Sequence, residues 1–331
     1  MPILSTDTPE AFEAACTKAS QLITSGGVVA LPSETVYGLA ADATQESAVE
    51  SIYTTKGRPS HNPLIIHVAD ESMALEYVSA WPESAEKLAK AFWPGPLTLV
   101  LPHKNNVSKL VTAGGETVAL RLPAHPVFRE VIRKVGKAIA APSANRSNHI
   151  SPTLAVHVSA SLGENVIVLD GGPCPVGIES TVVDLTTSPA TVLRPGSVSA
   201  EALASILGDC RTNPGKGNDI LKSPGQLSRH YAPKSPLVLF EPIQDDISDL
   251  LAANDSKRSE TIILGHTIVN VPESAIPDRL LPAHPSDYAR CLYAELYQCD
   301  QTPCHLILVQ KPPPTNAWTA IHDRLQRASK G

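Results

Sequence analysis

Aromatic residues make up only 4% of this 331-residue sequence and charged residues only 18%. The shortage of charge does not indicate disorder. Hydrophobic residues reach 42%, whereas unfolded chains combine low hydrophobicity with high net charge. Cations are not in excess either: 27 Lys and Arg against 33 Asp and Glu give a formal net charge of −6. A broad face that grips a nucleic-acid backbone usually makes a protein basic, so any role near RNA is expected to be indirect or confined to a local patch. No apolar run reaches the ~18 residues of a spanning helix. The first twenty residues lack the basic and apolar regions of a secretory signal, and no transit peptide is evident. The six cysteines, at 16, 174, 210, 291, 299 and 304, form no CxxC pair, which argues against structural zinc. They read as reduced thiols of a cytoplasmic protein, most of them small core fillers. GxxxxGK[ST], GxGxxG and GxSxG are all missing. A phosphate site must therefore be of another kind, and nothing marks a covalent nucleophile.

Proline, by contrast, is plentiful: thirty residues, many of them at the ends of short apolar runs. There it fixes φ and stiffens a loop without breaking a sheet ladder. Such runs alternate with helical patterns. The strands expected are 27–31, 64–68, 97–101, 117–122, 138–141, 166–170, 181–185 and 191–194, with a further short strand at the N-terminus. The helices expected are 8–24, 46–55, 70–78, 83–92, 126–135, 153–161 and 199–207, with Asp70 and Thr153 as N-caps. This predicts an α/β first domain, residues 1–208, with one twisted, open, mixed sheet and flanking helices. Residues 209–236 are rich in Gly, Pro, Ser, Asn and Lys and read as a linker. Beyond them, 237–331 predicts a smaller Rossmann-like α/β domain, with strands 237–240, 261–265 and 305–310 and helices near 243–253, 286–298 and 316–329.

Six stretches carry chemistry-bearing residues. In 56-KGRPSHNPL-64, Gly57 and Pro59 make a stiff turn from which Lys56 and Arg58 are expected to project, a compact charge beside a planar fork. Cations at a helix end that complement its dipole are the plain alternative. In 31-LPSETVYGLAADA-43, hydroxyls and one carboxylate follow a strand, as a ligand loop or a self-satisfied turn. Arg121 lies inside the apolar run of 117-TVALRLPAHP-126. A buried cation needs a partner, and a ligand carboxylate is favoured over a structural one. His67 ends another apolar run. Finally, 141-APSANRSNHISPT-153, 177-GIESTVVDL-185 and 194-RPGS-197 place hydroxyls, amides and Arg194 at strand ends. Several polar loops of this kind suggest one pocket.

Together with 92-FWPGPLTLVL-101 and 223-SPGQLSRHYAPKSP-236, these stretches run in the order seen in the L-threonylcarbamoyladenylate synthase family, and the chain resembles its longer two-domain form. The likeness is strong over 1–236 and weaker beyond, where 288-YARCLYAELYQCD-300 and 320-AIHDRLQRA-328 are similar to the family's last helices. The resemblance implies an enzyme that condenses L-threonine, bicarbonate or CO2 and ATP, with Mg²⁺, into threonylcarbamoyl-AMP and pyrophosphate. A partner complex would then transfer the threonylcarbamoyl group to the adenosine 3′ of the anticodon in tRNAs reading ANN codons, so tRNA is met only indirectly. It further implies that Thr35, His67, Arg121, Ala141 and Ser180 contact threonine, with Arg121 on its carboxylate. Arg58, Asn62, Thr117, Ser143, Ser151, Arg194 and Tyr231 would contact the nucleotide, and Lys56 would join Arg58 at the phosphates. The linker would close as a lid. Departures from the family pattern are His61, where an acidic residue is frequent, and 226-QLS-228 in the lid.

Two other readings compete: a double-stranded RNA-binding module, against which the acidic balance speaks, and a nucleotide sensor that binds without turnover. A hydrogenase-maturation type of carbamoyl transfer would bring CxxC pairs that this chain lacks.

Overall fold

The computed structural model describes residues 3–104, 106–212, 221–225, 230–267 and 273–330. The chain divides into two compact units. The first is Met1–Ser147 with Ser151–Gln226, and the second is Leu227–Gly331 with Asn148–Ile150.

Among the described residues the first unit holds eleven strands: β1 (Ile3–Ser5), β2 (Val29–Leu31), β3 (Gly38–Asp42), β4 (Ile65–His67), β5 (Leu97–Pro102), β6 (Thr117–Arg121), β7 (Ile139–Ala140), β8 (Ile167–Asp170), β9 (Thr181–Asp184), β10 (Ala190–Arg194) and β11 (Cys210–Thr212). They form one mixed sheet in the order β1-β8-β2-β3-β7-β4-β6-β5-β9-β10-β11. Its helices are α1 (Pro9–Thr24), α2 (Glu46–Lys56), α3 (Glu71–Tyr77), α4 (Glu83–Phe92), α5 (Lys109–Thr112), α6 (Pro126–Val135), α7 (Ala155–Leu162) and α8 (Ala200–Leu207).

Because side chains alternate along a strand, the two faces of this sheet differ. Ile66, Leu99, Val118 and Leu120 enter the main core, with residues of α2, α4, α7 and α8. On the opposite face, α1 and α6 cover one half of the sheet through Cys16, Ala19, Phe128 and Ile132. Over β4, β5, β6, β9 and β10, the apolar cluster on that face shrinks to Ile65, Val100, Ala119, Val182 and Leu193. His67 and Arg121 lie on this thinly covered side, because each is two residues beyond a member of the cluster.

β3 falls where the sequence suggested a polar loop. Its GLAAD run has low strand propensity, but all five residues are buried, with Gly38, Leu39 and Ala40 pairing antiparallel with β2 and Ala41 and Asp42 with β7. Asp70 caps α3, its Oδ1 accepting from Met73 N at 2.8 Å. The expected cap Thr153 is displaced by Leu154, since Thr153 instead pairs its N–H and hydroxyl with His157 Nδ1. Within the expected linker, 210–212 is a strand of the first sheet, pairing with β10. Of the rest of that segment, 213–220 and 226–229 fall outside the described residues, and so do the lid departures at 226–228.

In the second unit β12 (Leu237–Phe240), β13 (Thr261–Gly265), β14 (Arg279–Leu280) and β15 (Leu306–Gln310) pair in parallel in the order β12-β15-β13-β14. Its helices are α9 (Ile247–Ala253), α10 (Pro285–Gln301) and α11 (Thr319–Ala328). Phe240, Ile247, Ile263, Ala275, Leu306 and Leu308 make a core of its own. Two-residue β14 left no pattern in the sequence. Asn148–Ile150 belongs to this unit: Ala232 N donates to Asn148 O at 2.9 Å, and Tyr297 Oη to Ile150 O at 3.0 Å. Among the described residues, no helix is long and apolar enough to cross a membrane.

Candidate active site

The polar loops of the sequence meet on the thinly covered face of the first sheet. Backbone bonds lace 31–43 to 141–153: Leu39 N donates to Pro142 O at 2.8 Å, Ala144 N to Tyr37 O at 2.7 Å and Tyr37 N to Pro152 O at 2.8 Å. Val176 N donates to Glu34 O at 2.9 Å and brings in the stretch before β9. Gly196 shows why a glycine follows Arg194: a Cβ there would lie 2.4 Å from Thr181 N. The close approach of the β10 end to the β9 start leaves no room for a side chain.

One group of residues gathers where β4 and β6 end. His67 and Arg121 are register partners on these parallel strands. Arg121 is 4% exposed. Its Nε donates to Gly95 O at 3.2 Å, one terminal nitrogen to Thr35 Oγ1 at 2.9 Å and the other to Glu34 Oε1 at 2.6 Å. Glu34 is thus a structural partner of Arg121, and a ligand carboxylate would bind in addition to it, not in its place. A guanidinium has five N–H donors, so these three bonds leave one on each terminal nitrogen. Burial pushes the Glu34 carboxyl up, but the charge and hydrogen bond of Arg121 outweigh it and hold the group below its ordinary range. His67 is held well below its ordinary value, first by burial and then by the Arg121 charge, so the imidazole is neutral. Its Nδ1 is buried without a hydrogen-bond partner among the described residues, and its ring lies 4.8 Å from that of Phe128.

Beside this group, Thr98 and Ser180 share a hydrogen bond of 2.7 Å. Arg194 donates to Ser180 O and Oγ, both at 3.1 Å. Thr98 sits one residue beyond the Leu99–Leu120 register pair, level with Arg121. Arg194, expected at the nucleotide, therefore lies against Ser180, which was expected at threonine.

A second group gathers where β4 begins. Lys56 is the last residue of α2, and Gly57 caps that helix at φ 59°, in the left-handed region. Lys56 and Arg58 were expected in an exposed turn, and the structure corrects this: they are 3% and 8% exposed. Lys56 Nζ donates to Ser143 O and Asn145 O, both at 2.5 Å. Arg58 donates to Asn62 O at 3.1 Å and Pro63 O at 2.8 Å. Burial, then the charge of Arg58, pushes the Lys56 amine well below its ordinary value. Among the described residues no carboxylate pairs with Lys56. Among the described residues, both amide atoms of Asn62, 1% exposed, lack hydrogen-bond partners.

Thr117 opens β6, at the end of the strand opposite Arg121. The four-residue separation is about 13 Å along the strand. Ala141 lies between the two groups, its N–H donating to Ile65 O at 3.0 Å. Ser151 donates to Glu179 Oε1 at 2.5 Å. Tyr231 belongs to the second unit, fully buried at φ 63°, with Arg324 Cζ 5.0 Å from its ring centre and the Tyr293 ring 5.9 Å away. Among the described residues, no cluster of His, Cys, Asp and Glu is arranged to hold a metal ion.

Sequence reasoning did not assign roles to Glu34, Gly95, Thr98, Glu179 or Ser223. Glu34 was within reach: a cation buried in an apolar strand demands an anion, and Glu34 is the carboxylate of the loop carrying Thr35. Gly95 O and Thr98 left no signal, because a carbonyl and a strand threonine are chemically anonymous in a sequence.

A family model described as "Telomere recombination" (Sua5, YciO and YrdC) matches residues 21–196, and one described as "Threonylcarbamoyl-AMP synthase, C-terminal domain" matches 198–330. The chain is 39% identical over 319 residues to the threonylcarbamoyl-AMP synthase of Pyrococcus abyssi, across 94% of this chain and 93% of the relative. It is 38% identical over 334 residues to that of Bacillus subtilis, across 99% and 95%. The solved structure of P. abyssi Sua5 complexed with L-threonine matches at a TM-score of 0.87 and 38% identity, over 96% of this chain and 95% of that one.

Proposed function

The chain belongs to the threonylcarbamoyl-AMP synthase family, and from that premise we propose that it condenses L-threonine, bicarbonate or CO2 and ATP into L-threonylcarbamoyl-AMP, releasing pyrophosphate. The observation that carries this reading is the pairing of two polar groups, one where β4 begins and one where β4 and β6 end. At one end the buried cations Lys56 and Arg58 stand beside the unsatisfied amide of Asn62. At the other, Arg121 is fixed by Glu34 with donors to spare. A buried cation without an anion is costly, and phosphate oxygens would supply the anion at Lys56. The spare N–H groups of Arg121 suit a carboxylate. A P. abyssi relative has been solved complexed with L-threonine, which fits that end of the site.

In this reading Arg121 and Thr35 orient threonine, and neutral His67 adds no competing charge. The threonine amine attacks the carbon of CO2 or bicarbonate and loses a proton, and from bicarbonate a hydroxide also leaves as water. The resulting N-carboxylate oxygen attacks the α-phosphorus, and the bond from that phosphorus to the pyrophosphate oxygen breaks. Lys56 and Arg58 offset the charge on the phosphates, and preorganisation does much of the rest. Mg²⁺ would arrive on the ATP oxygens and neutralise part of their charge. The nearby carboxylates of Glu34 and Glu179 already accept from Arg121, Ala124 N and Ser151. The product would serve a downstream transferase complex that modifies the adenosine 3′ of the anticodon in tRNAs reading ANN codons.

The test is pyrophosphate release with ATP, Mg²⁺ and bicarbonate, with and without L-threonine. Release that requires threonine and falls at least ~100-fold in Arg121→Ala is expected, since a charged hydrogen-bonded contact is worth a few kcal/mol. No threonine-dependent release from folded protein would overturn the reading.

A further inference from the structure

Ser223 opens the stretch 223-SPGQLSRHYAPKSP-236, in which the family resemblance assigned a ligand contact only to Tyr231. Residues 221–225 are held on the sheet of the first unit at two points. Lys222 Nζ pairs with Asp184 Oδ2 at 2.9 Å and reaches Thr186 Oγ1 at 3.1 Å. Pro224 O accepts from Arg194 at 3.5 Å. Asp184 is the register partner of Val100, and Arg194 that of Val182. Val182 and Asp184 are two residues apart on β9 and so share a face. Val182 and Val100 both belong to the thin apolar cluster. The segment 222–224 therefore crosses the face that carries the polar groups, running along β9 beside the Arg194–Ser180 bonds.

Ser223 lies between these two fastenings. It is fully buried, at 0% exposure, and its Oγ has no hydrogen-bond partner among the described residues. A buried hydroxyl left unmade costs about 1–3 kcal/mol, a cost that folded proteins rarely leave uncompensated. Ser33, by contrast, is 3% exposed and spends its hydroxyl on Val36 O at 2.6 Å while accepting from two backbone N–H groups. Ser223 has no such local use among the described residues. The other orphaned groups noted here, on Asn62 and His67, belong to residues of the same sheet face or of the turn that leads into it.

We propose that Ser223 is a further ligand-contacting residue of this site, its hydroxyl donating to an anionic oxygen of bound substrate. The neighbouring Arg194 guanidinium makes an anion, not a neutral carbonyl, the fitting acceptor. The phosphoryl oxygens of ATP and the carboxylate oxygens of threonine share that chemistry. Lys222 and Asp184 serve the contact by fixing the segment. This inference rests on the synthase reading, which supplies the two anions.

The experiment compares Ser223→Ala with the native full-length chain in the pyrophosphate assay and in thermal melts without substrate. Native activity is scored first, so that failure of the synthase reading is seen separately. In an active background, KM for one substrate is expected to rise roughly tenfold or more, the worth of a hydrogen bond to a charged group, with the other KM unchanged. A rise for ATP places the hydroxyl on a phosphoryl oxygen, and a rise for threonine places it on the carboxylate. The substrate-free melting temperature is expected to hold or rise, because an orphaned polar group has been removed. Unchanged KM for both substrates, or a lower substrate-free melting temperature with unchanged kinetics, would overturn the proposal and make Ser223 a structural residue. Lys222→Met, which loosens the segment and keeps the hydroxyl, is expected to raise the same KM by a smaller factor.

Discussion

Arg121 and Gln310 make an instructive pair. Each is the last residue of a buried strand, β6 in the first unit and β15 in the second, and each is about equally buried, at 4% and 5% exposure. Gln310 turns its side-chain oxygen on the adjoining loop, accepting from His266 N at 3.0 Å and Thr267 N at 3.3 Å. Arg121 is anchored by Glu34, Thr35 and Gly95 yet keeps two donors unused. Its register partner His67 carries an unsatisfied nitrogen. A buried polar side chain whose bonds close locally is part of the scaffold. One that is rigidly held and still has hydrogen-bonding capacity to spare is part of a site. Burial alone does not separate the two cases.

The largest expected effect tests the first half of that distinction. Arg121→Met leaves the Glu34 carboxylate buried without its cation, which should cost about 3–5 kcal/mol in urea unfolding and abolish threonine-dependent turnover. Adding Glu34→Gln should restore much of the stability and none of the activity, because the pair's structural charge balance is repaired while the carboxylate-binding fork is still missing. If the double variant recovered turnover, Arg121 would be scaffold after all. The sign for acid follows from the same pair. Glu34 is held below its ordinary range in the folded state, so its stabilisation is present above the unfolded carboxylate range and is lost as pH falls through the lowered value.

A smaller effect should come from the second half. Gln310→Leu leaves two backbone N–H groups without their acceptor and should cost about 2 kcal/mol. The KM for ATP and for threonine should stay where they are. A change in either KM, measured in the same pyrophosphate assay, would place Gln310 in the functional class and break the comparison.

The same distinction explains what could be read in the sequence. Most strands and helices were legible because their periodicity or apolar runs are strong, and the strand ends near 67, 121 and 194 could be located. β3 was not, since glycine and alanine are poor strand formers and only antiparallel pairing with β2 and β7 and complete burial make that segment a strand. The grouping of residues was legible where loops follow strands of one sheet. Lys56 was misjudged because a cation at a helix end next to Gly57 normally faces solvent, whereas here the loop at 143–147 folds over it and takes two of its donors. The Glu34–Arg121 pair was within reach of the sequence but was not assigned, whereas the excursion of 148–150 into the second unit could not be read, as it depends on contacts between residues far apart in the chain.

The smallest expected effect compares two buried histidines of the first unit. His67 and His157 are both neutral in the folded protein, but His157 Nδ1 accepts from Thr153, as scaffold groups do. Burial pushes His157 down to about 4 from an ordinary 6.5. Between those values the unfolded chain binds a proton that the folded chain does not, so stability falls as pH drops from about 6.5 toward 4 and the loss stops growing below that. At pH 6 the loss amounts to only about 1 kcal/mol, since the unfolded histidine is then partly deprotonated. Urea midpoints of native protein and His157→Gln across this range should converge as pH falls, with catalytic constants at neutral pH unaltered in the variant. His67→Gln should show a comparable change in pH dependence together with a raised KM for threonine. If both histidines altered stability alone, the unsatisfied nitrogen of His67 would no longer distinguish a site residue from a scaffold one.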